Sequence, residues 1–296
     1  MKTKAVAVHV TYSRAADFLA LTKPRLNSLV VVTTGVGYYL GTTERLDLLI
    51  GLHTVVGAAL VAGSAAVFNQ IVESDLDKAM LRTYRRPMPA GRVQSLEAGA
   101  FALVLAAAGL IQLAVGSNVL ASTVAAVTLV SYAAIYTPLK RRTPWATLVG
   151  AVPGALPPVI GWTAARGALT IEAWVLFGIV FFWQLPHFHA LAWLYREDFR
   201  RAQVPLLAVL DHDGRRIGFH VIVYALLLLP MSLAPFFVDL TGSTYLGGAA
   251  ALGVLFLTLA VRFASKRTDE RARTLFHGSL VYLTLLWGLL VVNHAL

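Results

Sequence analysis

The chain has 296 residues, of which 57% are hydrophobic and only 14% charged, with a net charge of +10. Soluble domains carry roughly 25% charged residues, and a basic balance on so apolar a chain fits the inner loops of a membrane protein better than a nucleic-acid partner. There is no cysteine, which excludes disulfides, iron–sulfur clusters and thiolate zinc sites.

Apolar runs long enough to cross a bilayer, about 20 residues each, recur along the whole chain, and no long polar stretch separates them. The expected fold is an all-α membrane protein, one integral-membrane domain over residues 1–296 with 1–25 as a cytoplasmic N-terminal segment. Those first residues lack a compact apolar stretch with a small-residue cleavage site, so the first span is expected to act as the insertion signal. Nine spans are predicted, near 26–42, 50–72, 97–116, 118–137, 144–165, 171–194, 217–238, 243–264 and 274–295. Gly116-Ser117-Asn118 is the turn that parts the third from the fourth. Pro153, Pro157 and Pro158 predict an interrupted fifth span, whose irregular backbone needs shelter inside protein. Pro186 predicts a break in the sixth. With nine spans, every one of the 25 Lys and Arg except Arg45 and Arg166 falls on one side. The positive-inside rule then makes that side, and the N-terminus, cytoplasmic. The location expected is a cell membrane, crossed many times.

The second span runs into NQIVESDLDKAMLRTYRRPMPAGR, residues 69–92. Asn69, Glu73 and Asp77 stand four apart, so on a helix they share one face. The bland reading is a solvated helix end. Against it, Asn69 lies within an apolar run, and all three are hard oxygen donors of the kind Mg2+ takes alongside substrate phosphates. Arg82 and Arg86 follow, offering planar forks suited to phosphate oxygens. Lys140, Arg141 and Arg142 form a second basic cluster, for which a purely topological role competes evenly with phosphate binding. The sixth span repeats the pattern of apolar helix, acids and bases in WQLPHFHALAWLYREDFRR, residues 183–201. An offset of four spans keeps orientation, as a parallel repeat requires. Two such units would enclose a central cavity flanked by both loops and open toward the cytoplasmic side.

His187 and His189, with Trp183 and Gln184, are candidates for a functional site within the sixth span. An imidazole there can ligate a heme iron, bond a propionate or move a proton; packing in the core is the alternative, and the weaker case is His189, which faces another side of the helix. His53, His220, His277 and His294 read as structural. Asp198, with Glu197, is the best further acidic metal ligand, and Asp211 and Asp213 read as a turn. Tyr132, Tyr136 and Trp183 offer ring faces suited to a cation.

Residues 69–87 resemble the first signature of the UbiA superfamily of intramembrane prenyltransferases. Within it, LTKPRLNSLVV, DKAMLRTYRRP, YTPLKRRTPW, GALPPVIGW and WQLPHFHALAW are similar to the heme-farnesylating branch. The resemblance implies transfer of a farnesyl group from farnesyl diphosphate to a vinyl group of heme b, with water adding, to give heme O and diphosphate. It implies Mg2+ and nine helices, and an assembly role beside heme A synthase or terminal oxidase assembly proteins. Carried over by motif, Asn69, Glu73 and Asp77 hold the metal and diphosphate, Arg82 and Arg86 the diphosphate, and His187 the heme side. Two departures stand out. Glu73 replaces the aspartate many relatives use, and Asp198 is followed four residues on by Ala202, so only half of the second acidic signature is present. Rival readings are prenylation of an aromatic quinone precursor, and a non-enzymatic transporter or heme-handling protein.

Overall fold

The computed structural model describes residues 13–43 and 45–294; residues 1–12 of the expected N-terminal segment lie outside them. The described chain is a succession of helices: α1 (Arg14–Leu21), α2 (Pro24–Gly41), α3 (Leu48–Val72), α4 (Ser74–Ala79), α5 (Ser95–Gly116), α6 (Val119–Val130), a π-helical turn (Ser131–Tyr136), α7 (Thr137–Leu139), α8 (Ala146–Gly154), α9 (Pro157–Arg166), α10 (Ile171–Leu194), α11 (Arg196–Arg201), α12 (Leu207–Leu210), α13 (Arg215–Phe237), α14 (Ser243–Ser265) and α15 (Asp269–Val292). No strand forms among the described residues beyond an isolated bridge between Thr241 and His294.

Polar side chains start the long helices where the apolar runs begin. Asp47 accepts from the backbone N–H of Leu49 and Ile50 ahead of α3. Gln94 and Glu97 form a capping box on α5, and Asn118 caps α6, each satisfying N–H groups that a helix start leaves open. Among the described residues, eight helical stretches are long and apolar enough to cross a membrane: α3, α5, Val119–Leu139, Ala146–Arg166, α10, α13, α14 and α15. The segment expected as the first of nine spans does fold as a helix, α2, with 18 residues, but it is not among the eight. Arg25, Asn27 and Ser28 in its first turns dilute its apolar content.

The Ala146–Arg166 stretch and α10 are the most enclosed, each 67% buried, whereas α5 and Val119–Leu139 are 22% buried and turn side chains such as Leu103 and Val127 outward. The proline-rich fifth span breaks between α8 and α9 as expected. Its sixth counterpart does not: α10 runs continuously through Pro186, which is buried, so packing on all sides holds the helix through the missing N–H. A close crossing fixes α9 against α2. A Cβ at Gly37 would overlap the carbonyl oxygen of Pro158, and one at Gly161 would overlap that of Thr34, so only glycine lets the two backbones touch here. The loop after the second span and that after the sixth share a plan: α3 and α10 each end at one non-helical residue, Glu73 and Tyr195, before a six-residue helix, α4 and α11.

Candidate active site

The three oxygen donors are not on one unbroken helix. α3 stops at Val72, and Glu73 is the junction to α4. The backbone bonds from Glu73 N–H to Asn69 (2.9 Å) and from Asp77 N–H to Glu73 (2.8 Å) carry the helical register across the junction, so the four-residue spacing still works as a ladder. Asn69, Glu73 and Asp77 are each 3–4% exposed. All three turn inward rather than toward lipid.

Each rung faces a cation. Lys23 Nζ donates to Asn69 Oδ1 at 2.7 Å, Lys140 Nζ lies 2.9 Å from a Glu73 carboxylate oxygen, and Arg86 Nη1 donates to Asp77 Oδ2 at 2.7 Å. Two chain segments far from α3 are thereby drawn to it. Burial, and then the charge of Arg86, pull the Lys23 ammonium down to about 7. Partial desolvation, and then the charge of Arg86, lower Arg82 from its ordinary value although the residue is exposed at the surface. Its guanidinium lies over the Tyr195 ring, 4.8 Å from the centroid, so it leans toward the α10–α11 junction rather than onto the ladder.

Sequence reasoning gave Lys23 no role. Its backbone is left-handed, φ 49° and ψ 56°, a conformation that costs a non-glycine residue energy and is found where surroundings over-determine it. Here they do. Gln70 Nε2 donates to the carbonyl of Leu21 at 2.7 Å and Asn27 Nδ2 to that of Thr22 at 2.6 Å, clamping the turn that aims Lys23 at Asn69. The sequence did point to the segment, since Lys23 lies within LTKPRLNSLVV and Pro24 marks a helix start, but not to this contact.

Below the ladder lies a largely apolar cavity of about 320 Å³, bounded by α2, α3, α6, α8, α9 and α10. Lys23, Tyr132 and His187 line it with the small side chains Ala58, Ala62, Ala65 and Ala66 of α3. Tyr132 belongs to the π-helical turn, a distortion common at functional sites. The Tyr132 and Tyr136 rings are 5.1 Å apart; Tyr132 lines the cavity, and Tyr136 packs on Gly150. Trp183 and Gln184 also line it, and both are tied by hydrogen bonds: Trp183 Nε1 donates to the carbonyl of Ser279 (2.6 Å) and Gln184 Nε2 to that of Ala151 (2.8 Å). His189 is buried but elsewhere, against His220 and Tyr224 with ring centroids at 5.7 and 6.0 Å. Asp198 accepts from the N–H of Leu81 at 3.3 Å, and Met80, Phe199, Ala202, Val204 and Leu206 form a small core beneath it. Asp198 thus joins the two loops.

Among the described residues no three His, Cys, Asp or Glu side chains converge as a ready metal cage. The donor set nevertheless suits Mg2+, which takes one or two carboxylates and completes its shell with phosphate oxygens and water. Two buried carboxylates and an amide oxygen, with three cations in contact, suit a metal and a polyanion bound together.

A buried oxygen ladder stands over an apolar chamber in a bundle of long apolar helices, and the chain belongs to the UbiA prenyltransferase family, whose profile matches residues 30–289. It is a multi-pass membrane protein. It is 44% identical over 286 residues to protoheme IX farnesyltransferase of Solibacter usitatus, covering 94% of this chain and 98% of that one. To the enzyme of the same name from Opitutus terrae it is 40% identical, covering 95% of each. A solved UbiA homolog from Archaeoglobus fulgidus, bound to GPP and Mg2+, shares the fold at a TM-score of 0.66 and 15% identity, over 93% of this chain and 99% of that one.

Proposed function

We propose that this chain transfers the farnesyl group of farnesyl diphosphate to a vinyl group of heme b, with water adding, to release heme O and diphosphate. Support comes from the near full-length likeness to protoheme IX farnesyltransferases. The observation that carries the reading is that Lys23, which contacts the ladder, and His187 line one and the same chamber. A diphosphate at the ladder and a porphyrin at His187 would meet there.

In this reading the farnesyl tail lies along the alanines of α3, and the diphosphate meets Lys23, Lys140 and Arg86. Departure of diphosphate leaves an allylic cation, so charge on the leaving oxygens must be stabilised. Bound Mg2+, held by Asn69, Glu73 and Asp77, supplies that stabilisation together with the cations. The catalytic contribution of the chain is positioning and electrostatics, with no covalent intermediate. Apolar walls keep water from the cation until the vinyl carbon has attacked, and the Tyr132 and Trp183 ring faces stabilise it. Water then adds to the new cation on the heme side, and one proton leaves. Arg82 contacts the outer diphosphate oxygens, while Asp198 holds the two loops together and offers a further carboxylate to the metal.

The topology in this reading has nine membrane helices, with α2 as the first. It forms one domain over residues 1–296, has its N-terminus in the cytoplasm of a bacterial cell with the chamber opening on that side, and releases heme O for a downstream heme A synthase or oxidase assembly. Purified chain given farnesyl diphosphate and Mg2+, with heme b or 4-hydroxybenzoate in separate reactions, tests the reaction. Heme O by mass supports it; product from the benzoate alone would replace it with the quinone-precursor reading.

A further inference from the structure

His187 and Trp183 stand one turn apart on α10, and both fasten onto Ser279 of α15. The Trp183 indole N–H donates to the Ser279 backbone carbonyl at 2.6 Å, and His187 Nδ1 lies 2.7 Å from the Ser279 hydroxyl oxygen. Ser279 is fully buried, at 0% exposure. The direction of the His187 bond follows from the third partner. A serine hydroxyl has one proton, and that of Ser279 donates to the Phe276 carbonyl at 2.6 Å. The oxygen therefore accepts from His187. It follows that Nδ1 carries the imidazole proton and Nε2 carries the lone pair.

Two aromatic rings stack on the imidazole as well. Trp183 stacks at 5.1 Å between centroids, and Phe276 at 4.6 Å. No hydrogen bond engages Nε2 among the described residues, and His187 lines the chamber. A packed core histidine needs neither a fixed tautomer nor a free lone pair. A metal-ligating histidine needs both, with the second nitrogen donating to an oxygen acceptor. We propose that Ser279 is a positioning residue that locks His187 in its Nδ1–H tautomer and thereby presents Nε2 as an axial ligand to the iron of a metalloporphyrin substrate. The proposal rests on the heme reading above and deepens it: ligation at His187 fixes the macrocycle beside the chamber. His189, packed on His220 and Tyr224, offers no comparable arrangement.

The test needs no turnover. Heme b is titrated into the purified protein without farnesyl diphosphate, and affinity and absorption spectrum are recorded. Wild type is expected to show a histidine-ligated spectrum that disappears in His187→Gly and returns on adding free imidazole. Ser279→Ala is expected to weaken heme binding about 10- to 100-fold, the usual effect of removing a ligand's supporting partner, and to alter the spectrum. Ser279→Thr, which keeps the hydroxyl, is expected to restore both. Thermal unfolding of each variant separates loss of fold from loss of ligation, and rescue of His187→Gly by imidazole stands even if Ser279→Ala does not fold. A wild-type spectrum and affinity in folded Ser279→Ala, or a histidine signature that follows His189, overturns the proposal. Wild type that binds no heme at all overturns the heme reading with it.

Discussion

At the scale of single residues, the site is a set of one-to-one pairings, and pairings of buried charges are asymmetric. Removing one partner leaves the other charge uncompensated and costs several kcal/mol, while removing both costs much less. Lys140 and Glu73 are 17% and 6% exposed at the side chain, enclosed enough for this to apply. We expect Lys140→Gln to destabilise the protein by on the order of 3 kcal/mol, and Glu73→Gln added to it to recover most of that. Chemical unfolding in detergent measures the cycle; additive losses would show the pair uncoupled. Asn69, Glu73 and Asp77 were legible in the sequence because their spacing is local and helical. Lys23 was not, since its contact with Asn69 spans 46 residues and depends on a left-handed turn set by Gln70 and Asn27. Ser279 left no sign either. It sits in an ordinary apolar helix, and its meaning comes from a partner 92 residues away.

Among elements, α3 and α2 set the depth of the chamber. From Asn69 down to Ala58, α3 spans 11 residues, roughly 16 Å at 1.5 Å per residue. Ala58, Thr33 and Ile160 line the chamber as far from the ladder as it reaches, just short of the tight crossing of α2 on α9. A larger side chain at Ala58 therefore shortens the space for an isoprenoid tail. Ala58→Leu is expected to shift the ratio of kcat/KM from farnesyl toward geranyl diphosphate by about tenfold or more, since one or two methylenes in a close-packed pocket change affinity by ~1–3 kcal/mol. An unchanged ratio would place the tail elsewhere. Gly161→Ala drives a methyl into the Thr34 carbonyl and is expected to cost about 1–3 kcal/mol of stability, read by thermal unfolding. The break in the proline-rich fifth span was legible because three prolines fall within six residues. The stop of α3 at Glu73 was not, because the backbone bonds that define register run straight across it. Nor was the π-helical turn at Tyr132, whose sequence, SYAAIY, carries no breaker.

For the whole molecule, the distribution of basic residues says more than any helix count. Among the described residues, eight stretches meet the length and apolarity needed to cross a bilayer, and α2 completes nine only if its polar first turns lie at the membrane surface. The absence of cysteine makes this directly measurable with single substitutions. Arg85→Cys, in the loop beside the ladder, is expected to resist a membrane-impermeant maleimide in intact spheroplasts, and Leu169→Cys, between α9 and α10, to react. Labelling of both from outside, or of Arg85→Cys alone, would contradict the cytoplasmic placement of the site.

The claim on which the rest depends is that buried oxygens at the end of α3 let a divalent cation draw diphosphate off a lipophilic chain. Single-turnover conversion of farnesyl diphosphate and heme b, followed by product mass with and without Mg2+ in wild type and Asp77→Asn, tests it most directly. The account predicts heme O from wild type only with the metal, and a loss of at least about 100-fold in Asp77→Asn, the scale seen when one transition-state electrostatic contact is removed. Wild-type rates in Asp77→Asn, or undiminished turnover without any divalent metal, would contradict it.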